Sequence, residues 1–169
     1  MLFGGISEHT LDANGRVIIP LKLRFSLGDD FVITRGLGKC LRIFTSEAFE
    51  AIKDEADRLG TSLSALFDPE ILRIRRHLFG EMVETTTDSQ WRVMIPPKLR
   101  EYAEITNAVV LVGAGAWIEV WNPENWKAYS EHELTQEKLT GAGGYMPAGM
   151  WAAEPEEDDG GVSQAGSAE

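Results

Sequence analysis

The sequence predicts a mainly β protein with added helices, an α+β chain in which one small unit is written twice. Three observations carry this. Residues 12–24 read DANGRVIIPLKLR and residues 88–100 read DSQWRVMIPPKLR, 76 positions later. The same step carries Leu2-Phe3-Gly4 onto Leu78-Phe79-Gly80. Most apolar runs within each copy are short, rich in β-branched residues and bounded by Gly, Pro or Asp, as strands are.

Each copy opens with an extended run, residues 5–11 and 81–87, that leads to a polar turn. Asp12 and Asp88 are placed to accept backbone N–H groups two residues ahead and so hold that turn. A short β-prone run follows, residues 16–19 and 92–95, and stops at proline. Proline cannot continue a central strand but can open a short helix, which is expected over residues 21–25 and 97–103. Two further strands come next. With a slip of one residue, 31–49 lies over 109–126, which matches Gly36 to Gly113, Phe44 to Trp121 and Phe49 to Trp126. Glycine-containing turns at 36–38 and 113–115 are expected to join these strands.

A helix leaves each unit. In the first copy Thr45 or Ser46 caps it, Phe49, Ile52, Ala56 and Leu59 recur at helical spacing, and Gly60 ends it. In the second, Asn122 is the cap, Pro123 the first position, and Trp126 and Tyr129 begin the apolar face. Asp68-Pro69 opens a connecting helix whose Arg73, Arg75, Arg76 and His77 are expected to form ion pairs with Asp54, Glu55 and Asp57. The expected organisation is unit 1 over 1–50, a helical linker over 51–76, unit 2 with a C-terminal helix over 77–140, and a disordered acidic tail over 141–169. The tail reads as a solubilising extension or as a competitor for a basic face.

With 169 residues and 43% hydrophobic content, the chain has enough apolar material for a packed core. The first residues lack a secretory pattern, and the longest nearly apolar stretch, 108–118, falls short of the ~18 residues a membrane helix needs. A soluble cytoplasmic protein with no membrane partner is expected. Cys40 lies in the apolar run CLRIF and reads as a small buried hydrophobe. His9, His77 and His132 show no metal-ligand spacing, no G-x-S-x-G elbow or P-loop occurs, and Leu41 and Ile118 stand where a G-x-G-x-x-G fingerprint needs glycine. No catalytic residue, metal, cofactor or small-molecule substrate is expected, and the chain does not read as an enzyme.

The net charge of −11 argues against a nucleic-acid partner. Six of the 27 acids, however, lie in residues 151–169, which contain no Lys or Arg, so the rest carries −5. Between residues 12 and 42, six cations (Arg16, Lys22, Arg24, Arg35, Lys39, Arg42) face only Asp12, Asp29 and Asp30. Local sign governs a phosphate backbone that approaches within a screening length of about 8–10 Å. The guanidinium forks of Arg16 and Arg92 suit phosphate and base edges, and they equally suit surface carboxylates. Both readings are open from residue types alone.

The tandem D-x-x-G-R-x-x-I-P-x-x-L-R windows, with the opening LFGG and the helical connection, resemble the MraZ family of transcriptional regulators of the bacterial division and cell-wall gene cluster, over about residues 1–140. The resemblance implies two tandem swapped-hairpin barrel units of the SpoVT-AbrB type. It implies a ring-like homo-oligomer, nucleoid-associated, that binds short repeats of double-stranded DNA upstream of its own operon and represses it. Carried over by position, the DNA-binding residues are Asp12, Gly15, Arg16, Lys22 and Arg24 in the first unit, and Asp88, Arg92 and Arg100 in the second. The alternative is an antitoxin-like DNA-binding module of the same superfamily that clasps a protein partner.

The second window departs from the pattern at Trp91, where the first has Gly15. A bulky residue in the left-handed region costs roughly 1–2 kcal/mol. The second turn is therefore expected to take a different shape, the first copy to be the principal DNA reader, and Trp91 to be a partly buried tryptophan at a subunit contact.

Overall fold

The first copy folds as β1 (Phe3–Thr10), β2 (Arg16–Ile18), α1 (Leu21–Leu27), β3 (Asp30–Arg35), β4 (Leu41–Thr45) and α2 (Ser46–Gly60). After the connecting helix α3 (Pro69–Phe79), the second copy repeats the order: β5 (Val83–Thr86), β6 (Arg92–Met94), α4 (Pro97–Tyr102), β7 (Ala108–Gly115), β8 (Ile118–Trp121) and α5 (Pro123–Ser130). The structure is a computed structural model and describes residues 2–60 and 66–131. The expected tail over 141–169, and the end of the second unit with His132, lie outside the described residues. The class is the expected one, mainly β with helices.

Six strands form one antiparallel sheet in the order β1-β7-β8-β4-β3-β5, and β2 pairs with β6 in a separate two-stranded ribbon. The pairing exchanges strands between the copies. β1 of the first lies on β7 of the second from Phe3↔Gly115 to Thr10↔Ala108. β5 of the second lies on β3 of the first from Asp30↔Thr86 to Ile33↔Val83, and β4 meets β8 at Ile43↔Ile118. One core results. Val17, Ile19, Leu23, Phe31, Ile33 and Ile43 from the first copy pack with Val93, Ile95, Leu99, Leu111, Ile118 and Val120 from the second, all buried. Each such aliphatic side chain contributes roughly 1.5–3 kcal/mol on burial.

The helix caps follow the sequence. Thr45 Oγ1 accepts from the Ala48 N–H at 3.1 Å, Asp68 from Glu70 and Ile71, and Asn122 from Glu124 and Asn125. Ser46 acts elsewhere, its hydroxyl donating to the Asp30 carbonyl. The expected ion pairing between the helices is present at Arg75, which binds Asp57 at 2.9 Å and the Ala56 carbonyl at 2.7 Å. Arg73 pairs within its own helix, with Glu70. Cys40 is buried, its thiol donates to the Leu37 carbonyl, and burial, with the Glu119 charge, pushes its pKa up to about 12.

One expected turn is misplaced. Residues 36–38 do reverse the chain, closed by Gly36 N–H to the Cys40 carbonyl. Residues 113–115 instead continue β7, and the reversal comes at Ala116-Trp117, where Ala114 N–H bonds the Trp117 carbonyl. Gly113 marks a close approach of two backbones, since a Cβ there would stand 2.4 Å from the Gly4 nitrogen of β1.

Candidate nucleic-acid interface

The ribbon brings the two repeated motifs together. β2 and β6 pair antiparallel as Arg16↔Met94, Val17↔Val93 and Ile18↔Arg92. Strand alternation sends Val17 and Val93 into the core, where both are fully buried, and turns Arg16, Ile18, Arg92 and Met94 to the other face. The ribbon is extended by two matched bonds beyond its strands, Ile19 N–H to the Trp91 carbonyl at 2.9 Å and Ile95 N–H to the Gly15 carbonyl at 3.0 Å. A local twofold thus relates the two windows.

The turns that feed the ribbon are alike. In the first, Asp12 Oδ1 accepts from Asn14 N–H at 2.8 Å and Arg16 N–H at 3.0 Å; in the second, Asp88 Oδ1 accepts from Gln90 at 2.9 Å and Arg92 at 3.0 Å. Backbone bonds from Gly15 to Asp12 and from Trp91 to Asp88 are both 2.9 Å. Gly15 has φ +75° and Trp91 φ +59°. The expectation of a differently shaped second turn is therefore wrong: Trp91 takes the left-handed conformation that glycine takes in the first copy. Its cost is offset in part by the Arg24 guanidinium, which lies 5.3 Å from the indole centroid, a contact worth roughly 0.5–1 kcal/mol at a half-exposed site.

Arg100 holds the equivalent place over Gly15, where an added Cβ would come within 2.8 Å of its Cζ. Arg24 and Arg100 also donate Nε to the Ile19 and Ile95 carbonyls, at 2.7 and 3.1 Å. Each therefore leaves its own short helix to cover the other copy's turn. Lys22 lies against Gly5 of β1; its charge and, first, burial lower the pKa of His9.

The second oxygen of each carboxylate faces the arginines. Asp88 Oδ2 accepts from Arg92 Nε at 2.8 Å and stands 3.9 Å from Arg16 Nη1. Asp12 Oδ2 is 3.7 Å from Arg92 Nη1. Both carboxyls are held below their ordinary pKa, first by the backbone N–H of Arg16 for Asp12 and of Arg92 for Asp88, with the arginine charges adding. Arg92 thus lies within ion-pair distance of both carboxylates, whereas Arg16 lies within it of Asp88 alone, although its charge also acts on Asp12. The structure brings Asp12, Gly15, Arg16, Arg24, Asp88, Arg92 and Arg100 into one constellation.

Sequence reasoning misses Ile18 and Met94, which are 49% and 53% exposed on the ribbon face. The signal lies in the period of two, since burying Val17 and Val93 exposes the residues on either side. Among the described residues, no helix is long and apolar enough to cross a membrane, and no group of three or more His, Cys, Asp or Glu could hold a metal ion.

A family model described as "MraZ protein, putative antitoxin-like" matches residues 2–68 and 78–141, one stretch for each copy. Among curated relatives, a protein of Symbiobacterium thermophilum named "Transcriptional regulator MraZ" is 41% identical over 127 residues, 75% of this chain and 88% of that protein. Proteins of the same name from Leuconostoc mesenteroides and Thermomicrobium roseum are 36% and 32% identical, over 76% and 77% of this chain and 87% and 88% of theirs.

Proposed function

The chain belongs to the MraZ family, and from that premise we propose that it is a DNA-binding transcriptional regulator whose β2–β6 ribbon meets DNA, with Arg16 as the chief contact. The observation that carries this reading is the pairing of Arg16↔Met94 and Ile18↔Arg92, which puts both motif arginines on one exposed face around a local twofold. A two-stranded ribbon fits the major groove, and guanidinium groups suit both phosphate and guanine edges. When DNA approaches, its phosphates or base edges replace Asp88 at Arg16. A half-exposed ion pair of 3.9 Å is worth roughly 0–1 kcal/mol, so the exchange costs little.

The division of labour between copies is part of this proposal. What supports it is the looser hold on Arg16 and the double carboxylate clamp on Arg92. Arg24 and Arg100, with Trp91 and Gly15 beneath them, keep the turns in place, and Asp12 and Asp88 aim the arginines. Lys22 adds positive charge on α1. In the fuller reading the protein represses its own operon in the division and cell-wall gene cluster, sits in the cytoplasm with the nucleoid, and is organised as two AbrB-like units with a linker and tail. It binds short operator repeats as a ring-like homo-oligomer. Such an assembly tolerates a weak grip per subunit, because linked sites multiply through effective concentration. An antitoxin-like module with a protein partner is the alternative, favoured by the family description; duplication within one chain speaks for the regulator.

A mobility-shift series with DNA from upstream of the protein's own gene tests this. Arg16→Ala is expected to weaken binding more than Arg92→Ala and to lower the slope of log affinity against log salt by about one. Absence of binding by the wild type at low salt refutes DNA binding, and equal losses in the two variants refute the division.

A further inference from the structure

We infer that Ile18 and Met94 are specificity-determining residues that read thymine methyl groups in the major groove, an inference that rests on the DNA-binding reading above. Solvent faces of antiparallel strands ordinarily carry polar side chains. Here both copies place an apolar residue at the same register position, half-exposed at 49% and 53%, on the face that carries Arg16 and Arg92. The copies have diverged close by, at Gly15 against Trp91 and at Phe25 against Glu101, yet this apolar position is apolar in both.

The register pairs each apolar residue with an arginine across the ribbon, Ile18 with Arg92 and Met94 with Arg16. Directly opposed side chains on such a pair are about 4.5–5.5 Å apart. The face therefore offers two adjacent couples, each with one fork of donors and one apolar tip. The major groove offers the complement: acceptors on guanine and phosphate for the forks, and the C5-methyl of thymine as its one apolar feature. Asp12 and Asp88 offset Arg16 and Arg92, but Arg24 and Arg100 over the two turns leave the constellation net positive. That charge makes DNA the occupant that fits, whereas a second copy of this chain would bring like charges together around the twofold.

The test compares a duplex copied from upstream of the protein's own gene with the same duplex made with deoxyuridine for thymidine, which removes only the methyl groups. The full-length wild type is expected to bind the uracil duplex about four-fold more weakly for each methyl group that Ile18 or Met94 covers, and about fifteen-fold for two. Ile18→Ser/Met94→Ser is expected to bind the thymine duplex more weakly than wild type and to show no uracil penalty. If the wild type binds both duplexes equally, this inference fails while DNA binding stands. It fails as well if wild type and double variant suffer the same uracil penalty, because the effect is then one of DNA shape. Dissociation of the double variant into smaller species, with a uracil-insensitive wild type, would assign the face to contact between copies. If neither duplex is bound at low salt, the DNA-binding reading itself falls and this one with it.

Discussion

Gly15→Ala probes the local twofold at the point where its halves differ. Gly15 has φ +75°, and an L-residue in the left-handed region costs roughly 1–2 kcal/mol. Alanine also restricts the denatured chain, which offsets roughly 0.4–1 kcal/mol. The added Cβ would stand 2.8 Å from Arg100 Cζ and 3.0 Å from its Nε, inside ordinary contact, so the guanidinium has to retreat. Its bond to the Ile95 carbonyl, now 3.1 Å, is then broken at a cost of roughly 1–1.5 kcal/mol. Together these leave a net loss of about 1–3 kcal/mol. Urea unfolding at one fixed protomer concentration measures it. In an Arg100→Ala background the clash is absent, the substitution costs about 0–2 kcal/mol, and the two changes couple by about 1–1.5 kcal/mol. A wild-type loss below about 0.3 kcal/mol, or equal losses in both backgrounds, would refute the reasoning.

Three other outcomes are expected. Trp91→Ala keeps the left-handed backbone cost and loses the Arg24 stacking, whereas Trp91→Gly sheds both, so the glycine variant should be the more stable by about 1 kcal/mol in urea; equal stabilities would mean that φ is not positive there. Cys40, with its pKa raised to about 12, should resist iodoacetamide in the native protein at about pH 8 and react once urea opens the fold; rapid native labelling contradicts its burial. Asp12 and Asp88 have folded pKa values below their unfolded value near 3.8, so the stability they contribute is fully present above that value and is lost as pH falls through the lower folded ones. Urea midpoints should accordingly drop as pH falls below about 4 by more in wild type than in Asp12→Asn/Asp88→Asn, and parallel drops would show that these carboxylates are not the acid-sensitive groups.

What is legible in the sequence is mostly local. Asp12, Asp88, Thr45, Asp68 and Asn122 act on N–H groups two to four residues away, so their spacing is enough to assign them. The meeting of Arg16 with Asp88 and of Arg92 with Asp12 is not legible, because it depends on β2 pairing with β6 across 76 positions. Trp91 misleads for the same reason: the steric cost of its φ is local and visible, while the Arg24 guanidinium that offsets part of it, and the ribbon that fixes the turn, arrive from the other copy. Gly113 reads as a turn because glycine is the usual turn residue, whereas it lies in β7 to let the β1 backbone pass. Ile18 and Met94 escape notice although alternation alone exposes them, since attention to charge passes over the apolar residues between the arginines.

The exchange of strands between copies also bears on how the chain is made. Phe3 pairs with Gly115, so β1 leaves the ribosome 112 residues before its partner is complete. At roughly 5–20 residues per second that is a wait of about 6–22 s. Throughout it, β1 has no described strand of its own copy to hydrogen-bond with, and β3 lacks the β5 edge that will cover it. Both missing strands belong to the second copy, so neither edge is covered until that copy has been made. The order of synthesis therefore makes closure of the sheet a late event, which waits on the second half of the chain.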